Sequence, residues 1–177
     1  MGNVRIESGG SLNINKSQME SSQIDVGGSI GIVKSPMRSI GIDCGGTLRI
    51  EKSKMQTGKI NCNGKTTIIQ SPAGEVHIKC GGSLSITKSK METGNMNCGG
   101  SSTIVESPAQ TLKLNCGGSL NIKESSMENV HIDCGGSATI KKSKMESGRI
   151  NCGGSFSIDR TPTGNVRIEY GGRRINL

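Results

Sequence analysis

Apolar and polar residues alternate along this chain, and the alternation restarts every eighteen residues. Aligned on Gly-Gly pairs, nine full repeats begin at Gly9, Gly27, Gly45, Asn63, Gly81, Gly99, Gly117, Gly135 and Gly153, with no insertion in any of them. With the positions of a repeat numbered as slots one to eighteen, slot two is always glycine. Slot six is always isoleucine: Ile14, Ile32, Ile50, Ile68, Ile86, Ile104, Ile122, Ile140 and Ile158. Slot eighteen reads Val26, Cys44, Cys62, Cys80, Cys98, Cys116, Cys134, Cys152 and Tyr170. Apolar residues concentrate in slots four, six, fourteen, sixteen and eighteen, whereas slots five, seven, fifteen and seventeen are mostly polar or charged. A period of two is the pattern of a strand with one buried face. Each repeat therefore predicts two strands, over slots three to eight and thirteen to eighteen. The glycine pair suits one corner, because glycine tolerates unusual dihedrals and close backbone approach. The Ser-x-Met or Ser-Pro-x segment suits the other, since proline fixes its dihedral and lacks a ladder donor.

Two slots trade volume. Met19, Met55, Met91 and Met145 in slot eleven accompany Ser22, Gly58, Gly94 and Gly148 in slot fourteen. Ala73, Ala109 and Thr163 accompany Val76, Leu112 and Val166, while Met37 with Ile40 and Met127 with Val130 depart from the rule. Such compensation is expected if both side chains fill one close-packed space.

Several repeat architectures use coils of this size. A left-handed hexapeptide helix needs an aliphatic residue every six positions, and Glu20, Gln56, Glu92 and Glu146 interrupt that series. A calcium-binding nonapeptide roll needs its glycine-aspartate run twice per coil, and here glycine pairs come once. An antiparallel meander on two-residue Gly-Gly turns would place apolar opposite polar residues on one face. The prediction is an all-β, single-domain β-solenoid over residues 1–177 with two strands per coil, parallel stacking, nine to ten coils and uncapped ends. Stacking at ~4.8 Å per coil gives a rod of roughly 45–50 Å.

The two ends carry the functional expectation. Residues 1–8 complete the second half of a coil in phase, residues 9–170 form the nine repeats, and residues 171–177 begin a further half coil. Solenoids ordinarily need atypical capping repeats, because a bare coil offers unpaired backbone groups. Gly2–Glu7 and Gly164–Glu169 both read G-N-V-R-I-E in the same slots. Head-to-tail contact would lay Asn3 over Asn165 and Ile6 over Ile168, continuing the stack between chains. The expected interface is Met1, Gly2, Asn3, Val4 and Ile6 on one copy, with Gly164, Asn165, Val166, Ile168, Tyr170, Ile175 and Leu177 on the next. The run Arg173–Leu177 places its apolar residues on the wrong parity for slots four and six, which calls for a one-residue slip or a partial cap there.

Composition changes the picture only modestly. Hydrophobic residues make up 31% and aromatic residues 1%, a bag of residues close to a disordered composition that the repeat order overrides. The net charge of +8 permits contact with a polyanion. Basic residues recur in slot eight (Lys16, Lys34, Lys52, Lys88, Lys142, Arg160), but Glu106 and Glu124 interrupt them, and aromatics for base stacking are nearly absent. No specific nucleic-acid partner is expected. No apolar run is long enough for a membrane span and no signal peptide opens the sequence. Gly2 would suit myristoylation, but Ile6 stands where serine or threonine belongs.

The seven cysteines are regular rather than paired, so they read as a core ladder of free thiols in a reducing, cytoplasmic setting, with no metal or cofactor assigned. An extracellular appendage or a viral origin fits the same residues. His77 and His131 share slot fifteen, an outward position about 14 Å apart on the coil spacing, too far to share a metal. Slot-nine serines and the slot-seventeen residues Asn61, Asn97, Asn115 and Asn151 read as structural polar ladders. No loop insertion builds a cleft, and no nucleophile–base pair is visible, so an enzyme is not expected. Coil length and unblocked ends together resemble bactofilins, bacterial solenoids that stack end to end into nucleotide-independent filaments. That resemblance is architectural, without a shared motif. It implies a structural protein polymerising head to tail with itself as partner. The alternative is a rigid rod or spike acting as a spacer or binding module for a polyanion, glycan or protein.

Overall fold

The computed structural model describes residues 3–176, so Met1, Gly2 and Leu177 of the expected interface lie outside the described residues. All its regular structure is strand. A first strand β1 (Val4–Ser8) is followed by alternating short and long strands. The short strands are β2 (Leu12–Asn15), β4 (Ile30–Val33), β6 (Leu48–Glu51), β8 (Thr66–Ile69), β10 (Leu84–Thr87), β12 (Ser102–Val105), β14 (Leu120–Lys123), β16 (Ala138–Lys141), β18 (Phe156–Asp159) and β20 (Arg174–Asn176). The long strands are β3 (Met19–Val26), β5 (Met37–Cys44), β7 (Met55–Cys62), β9 (Ala73–Cys80), β11 (Met91–Cys98), β13 (Ala109–Cys116), β15 (Met127–Cys134), β17 (Met145–Cys152) and β19 (Thr163–Tyr170). Odd-numbered strands form one ten-stranded parallel sheet and even-numbered strands another. The fold is thus the two-sheeted β-solenoid with an eighteen-residue coil. Every pairing joins identical slots, as in Ile42↔Ile60 and Cys44↔Cys62.

The strand limits differ from the sequence expectation. The short strand covers slots four to seven, and the long one begins at slot eleven rather than thirteen. Slot eight is not strand: it adopts a left-handed conformation in all nine repeats, with φ between 45° and 51° from Lys16 to Arg160. The chain reverses at this corner, and a positive φ makes the sharpest reversal. All nine residues there are Lys, Gln, Glu or Arg, unbranched at Cβ and so spared the added clash that β-branched residues meet at positive φ, although glycine, Asn and Asp enter this region more readily.

Slot nine completes the corner. Ser35, Ser53, Ser71, Ser89, Ser107 and Ser125 are fully buried. Ser35 Oγ donates to the Val33 carbonyl at 2.8 Å and accepts from the Ser17 backbone N–H at 3.1 Å. The same pair of bonds repeats coil after coil up to Thr161, whose Oγ1 accepts from Ser143 N–H at 3.1 Å and donates to the Asp159 carbonyl at 2.9 Å. A backbone N–H that the corner turns away from the strand ladder thereby finds its partner.

At the opposite corner the glycines are required by space, not by dihedral. None of the paired corner glycines has a positive φ. A Cβ on Gly45, Gly81, Gly99, Gly117 or Gly135 would run into the backbone oxygen of the residue one coil earlier, and one on Gly28 would lie 2.6 Å from the Gly10 oxygen. Stacked backbones at one coil spacing leave no room for a side chain there.

The core lies between the sheets as one continuous column from Ile14 to Phe156. Eight of the nine slot-six isoleucines are buried, and Ile158 near the end is half-buried. The methionine trade leaves only a weak mark on the packing: a Cβ on Gly58 would meet Met55 Sδ at an ordinary 3.5 Å, and one on Gly94 would meet Met96 Cε at 2.8 Å before it met Met91 Sδ at 3.5 Å. Gly148 is a different case. Its φ is +131°, and a Cβ there would overlap the Val130 backbone, so local conformation demands glycine independently of Met145. No slip occurs in the last half coil. Phe156 pairs with Arg174, Ser157 with Ile175 and Ile158 with Asn176. Bonds from Gly171 N–H to Cys152 O and Gly172 N–H to Gly154 O, both 3.0 Å, set the phase before the strand begins and override the parity of the tail.

Candidate self-assembly interface

The two ends of the stack are faces built from sheet edges. At one end β1 and β2 are the outermost strands of their sheets, and at the other β19 and β20 are. Among the described residues nothing covers the outer edges of these four strands.

On the first face Asn3 is exposed, while Val4, Ile6 and Leu12 are half-buried. Ile6 pairs with Ile24, which is completely buried one coil further in. On the second face Gly164 and Asn165 are exposed, and Val166 and Ile168 are half-buried. Ile168 pairs with Ile150, again completely buried. The aliphatic side chains that an inner coil hides on both sides are therefore hidden on one side only at each end. Tyr170 takes the slot of the cysteines and is the one exposed large hydrophobic residue among those described, at 39%. Its ring stacks on Phe156 with centroids 6.3 Å apart. Ile175 is in β20, in register with Ser157.

Gly9 and Gly10 extend the first face, and sequence reasoning did not single them out. A Cβ built on either meets nothing within 4 Å, unlike every other corner glycine. Among the described residues nothing occupies the space that a side chain at these two positions would take. The signal was present in the repeat, but only the geometry separates glycines that are needed from those that are not.

Charges on the outer surface follow the coil diagonal. Arg149 reaches from slot fifteen to Glu169 in slot seventeen of the next coil at 2.7 Å, and Gln23 reaches Asp43 in the same way at 3.3 Å. Arg167 bonds Glu169 at 2.8 Å within its own strand, and Arg5 does the same to Glu7 at 2.8 Å. His77 and His131 are exposed beside Glu75 and Asp133. The slot-eight cations stand outward at the left-handed corner, and several face carboxylates, as in Lys88–Glu106 at 3.8 Å and Lys142–Glu124 at 3.9 Å. In slot seventeen Asn61 donates to Asp43 at 2.7 Å.

All seven cysteines are free and buried. Their thiols act on one another. Hydrogen bonds from Cys116 and then Cys80 hold Cys98 well below the ordinary thiol range. The partners move the other way, Cys80 chiefly through its bond with Cys98 and Cys116 chiefly through its bond with Cys134. Burial is the main cause of the upward shift at Cys44 and Cys152. Among the described residues no group of three His, Cys, Asp or Glu side chains converges on a metal position, and no helix is long and apolar enough to cross a membrane.

Comparison with protein-family models, with curated proteins and with solved structures gave no match.

Proposed function

We propose that this chain is a structural, non-catalytic protein that stacks head to tail into a β-solenoid filament. The observation that carries the reading is the complementarity of the two end faces. The β19 edge and the β1 edge occupy equivalent slots of one sheet, and the β20 and β2 edges occupy equivalent slots of the other. Joining them places Val4 against Val166 and Ile6 against Ile168, and buries four half-exposed aliphatic residues. Unpaired N–H and C=O groups along both edges then close into a parallel ladder like those inside the chain. Glu7 of the incoming copy would stand to Arg167 as Glu169 stands to Arg149. Such a contact repeats without closing, so its product is an open fibre.

Gly9 and Gly10 give the test its discrimination. In a joined stack they would lie on Gly171 and Gly172, at the spacing that forbids a side chain elsewhere. Gly10→Val should leave the strand circular dichroism and melting of the single chain unchanged, since a Cβ added at Gly10 meets no atom within 4 Å among the described residues. It should stop elongation. Negative-stain microscopy of the full chain is expected to show fibres of uniform width that are lost in Gly10→Val. Dispersed short rods from the unsubstituted chain, or fibres persisting in Gly10→Val, would exclude the proposed joint.

A further inference from the structure

The outer face of the even-numbered sheet differs from the rest of the surface. Slots five and seven point outward there, and over three successive coils they carry no charge: Thr67 and Ile69 in β8, Ser85 and Thr87 in β10, Thr103 and Val105 in β12. All six are half-buried, close to the plane of the short strands. The odd-numbered sheet offers no such stretch: every coil of it except that of β11 carries a charged residue or histidine in slot fifteen or seventeen. On the even-numbered sheet charge returns unequally on either side of the neutral centre. Glu51 lies two coils before β10, and Lys123 lies two coils after it.

We propose that this face pairs with the same face of a second copy, antiparallel, about a two-fold axis running along β10. Such a rotation keeps the strand direction and inverts the order of the coils. Each slot then meets the same slot of the coil equally far on the other side of β10. Thr87 meets Thr87, Ile69 meets Val105, and Glu51 meets Lys123, the last two contacts occurring twice. Arg49, which bonds Glu51 at 2.6 Å in its own chain, meets the uncharged Asn121. Lys141 lays its stem over Val33 and keeps its ammonium at the rim. No position sets like charges against each other, an arrangement that would cost several kcal/mol. The parallel alternative sets slot five against slot seven of the same coil, so Ile69 and Val105 would face Thr67 and Thr103. Antiparallel pairing matches apolar with apolar and acid with base. Slots three to eight over the seven coils from β4 to β16 cover ~20 Å by ~34 Å, roughly 650 Å² per copy or about 1,300 Å² in total, above the ~1,000 Å² expected of a specific interface. The pair uses a sheet face and not the sheet edges of the end joint, so it goes beyond filament growth and stands apart from it.

The experiment is analytical ultracentrifugation of the full chain carrying Gly10→Val, which blocks the end joint. A discrete species of twice the chain mass is expected. Adding Thr87→Lys should abolish it, because the substituted position faces itself across the axis. Slot seven already carries lysine in β14 and β16, so the fold accommodates the change, and strand circular dichroism should be unaltered. Glu51→Lys should weaken the pair, and Glu51→Lys together with Lys123→Glu should restore it. A single-chain mass in Gly10→Val, a pair that persists in Thr87→Lys, or a double charge variant no stronger than Glu51→Lys alone overturns the antiparallel pair. Fibres in Gly10→Val would count against the end joint instead. The pair is then read from fibre width in negative stain, two rods without Thr87→Lys and one rod with it, and equal widths overturn it.

Discussion

Serine in slot nine sits where a packed core would ordinarily place an apolar residue, and its burial is conditional on two hydrogen bonds. Ser89 accepts from the Ser71 backbone N–H at 3.0 Å and donates to the Thr87 carbonyl at 2.9 Å, with no exposure to solvent. Ser89→Ala strands the Ser71 N–H without a partner, an expected loss of about 1–3 kcal/mol in chemical denaturation. An exposed serine such as Ser126 should tolerate the same change within about 0.5 kcal/mol. The regular serine column was legible in the sequence as a polar ladder. Its burial was not, because a serine reads as a surface residue until its partners are known. The left-handed residue beside it was invisible for a similar reason: Lys, Gln, Glu and Arg carry no mark of a positive φ, and only the need to turn between slots seven and nine imposes it.

At the scale of strands, the same letter performs different work. Gly58 and Gly94 have ordinary backbones, and the slot-eleven methionines Met55 and Met91 lie beside them at ordinary contact distance. Gly148 holds a conformation that L-residues rarely adopt, against the Val130 backbone in β15. Gly58→Ala should therefore change stability little, since its new methyl meets Met55 and Val76 at 3.5 Å, an ordinary contact. Gly148→Ala should cost several times more and loosen the β15–β17 pairing, measurable as faster amide exchange of Ile150 and Cys152 than of Ile60 and Cys62. Equal losses in the two variants would contradict this distinction. Met145 beside Gly148 invited a volume argument from the sequence, and it is the backbone that decides there.

For the molecule as a whole, each coil contacts only its neighbours, so stability accumulates along the stack and is lowest at its ends. A filament joint adds contacts to the folded form alone. Binding that is selective for the folded state raises the apparent melting temperature with concentration. The unsubstituted chain should therefore melt higher as its concentration increases, whereas Gly10→Val together with Thr87→Lys should melt at one temperature throughout. A concentration-independent transition in both would speak for the isolated rod. The half-buried Ile6 and Ile168, against the fully buried Ile24 and Ile150, mark how much apolar contact each end leaves unused.

The amino-acid order alone determined the coil length, the two-strand repeat, the inward column of isoleucine and cysteine, and the parallel stacking. A period of eighteen with alternation inside it admits few packings, and hydrophobic periodicity acts locally. Tertiary contact decided the rest. The reversal at slot eight, the start of the long strand at slot eleven and the unslipped tail after Gly172 are set by hydrogen bonds to the neighbouring coil. The same holds for which corner glycines are indispensable, since that depends on what lies one coil away, a distance of eighteen residues along the chain and a single strand spacing through space.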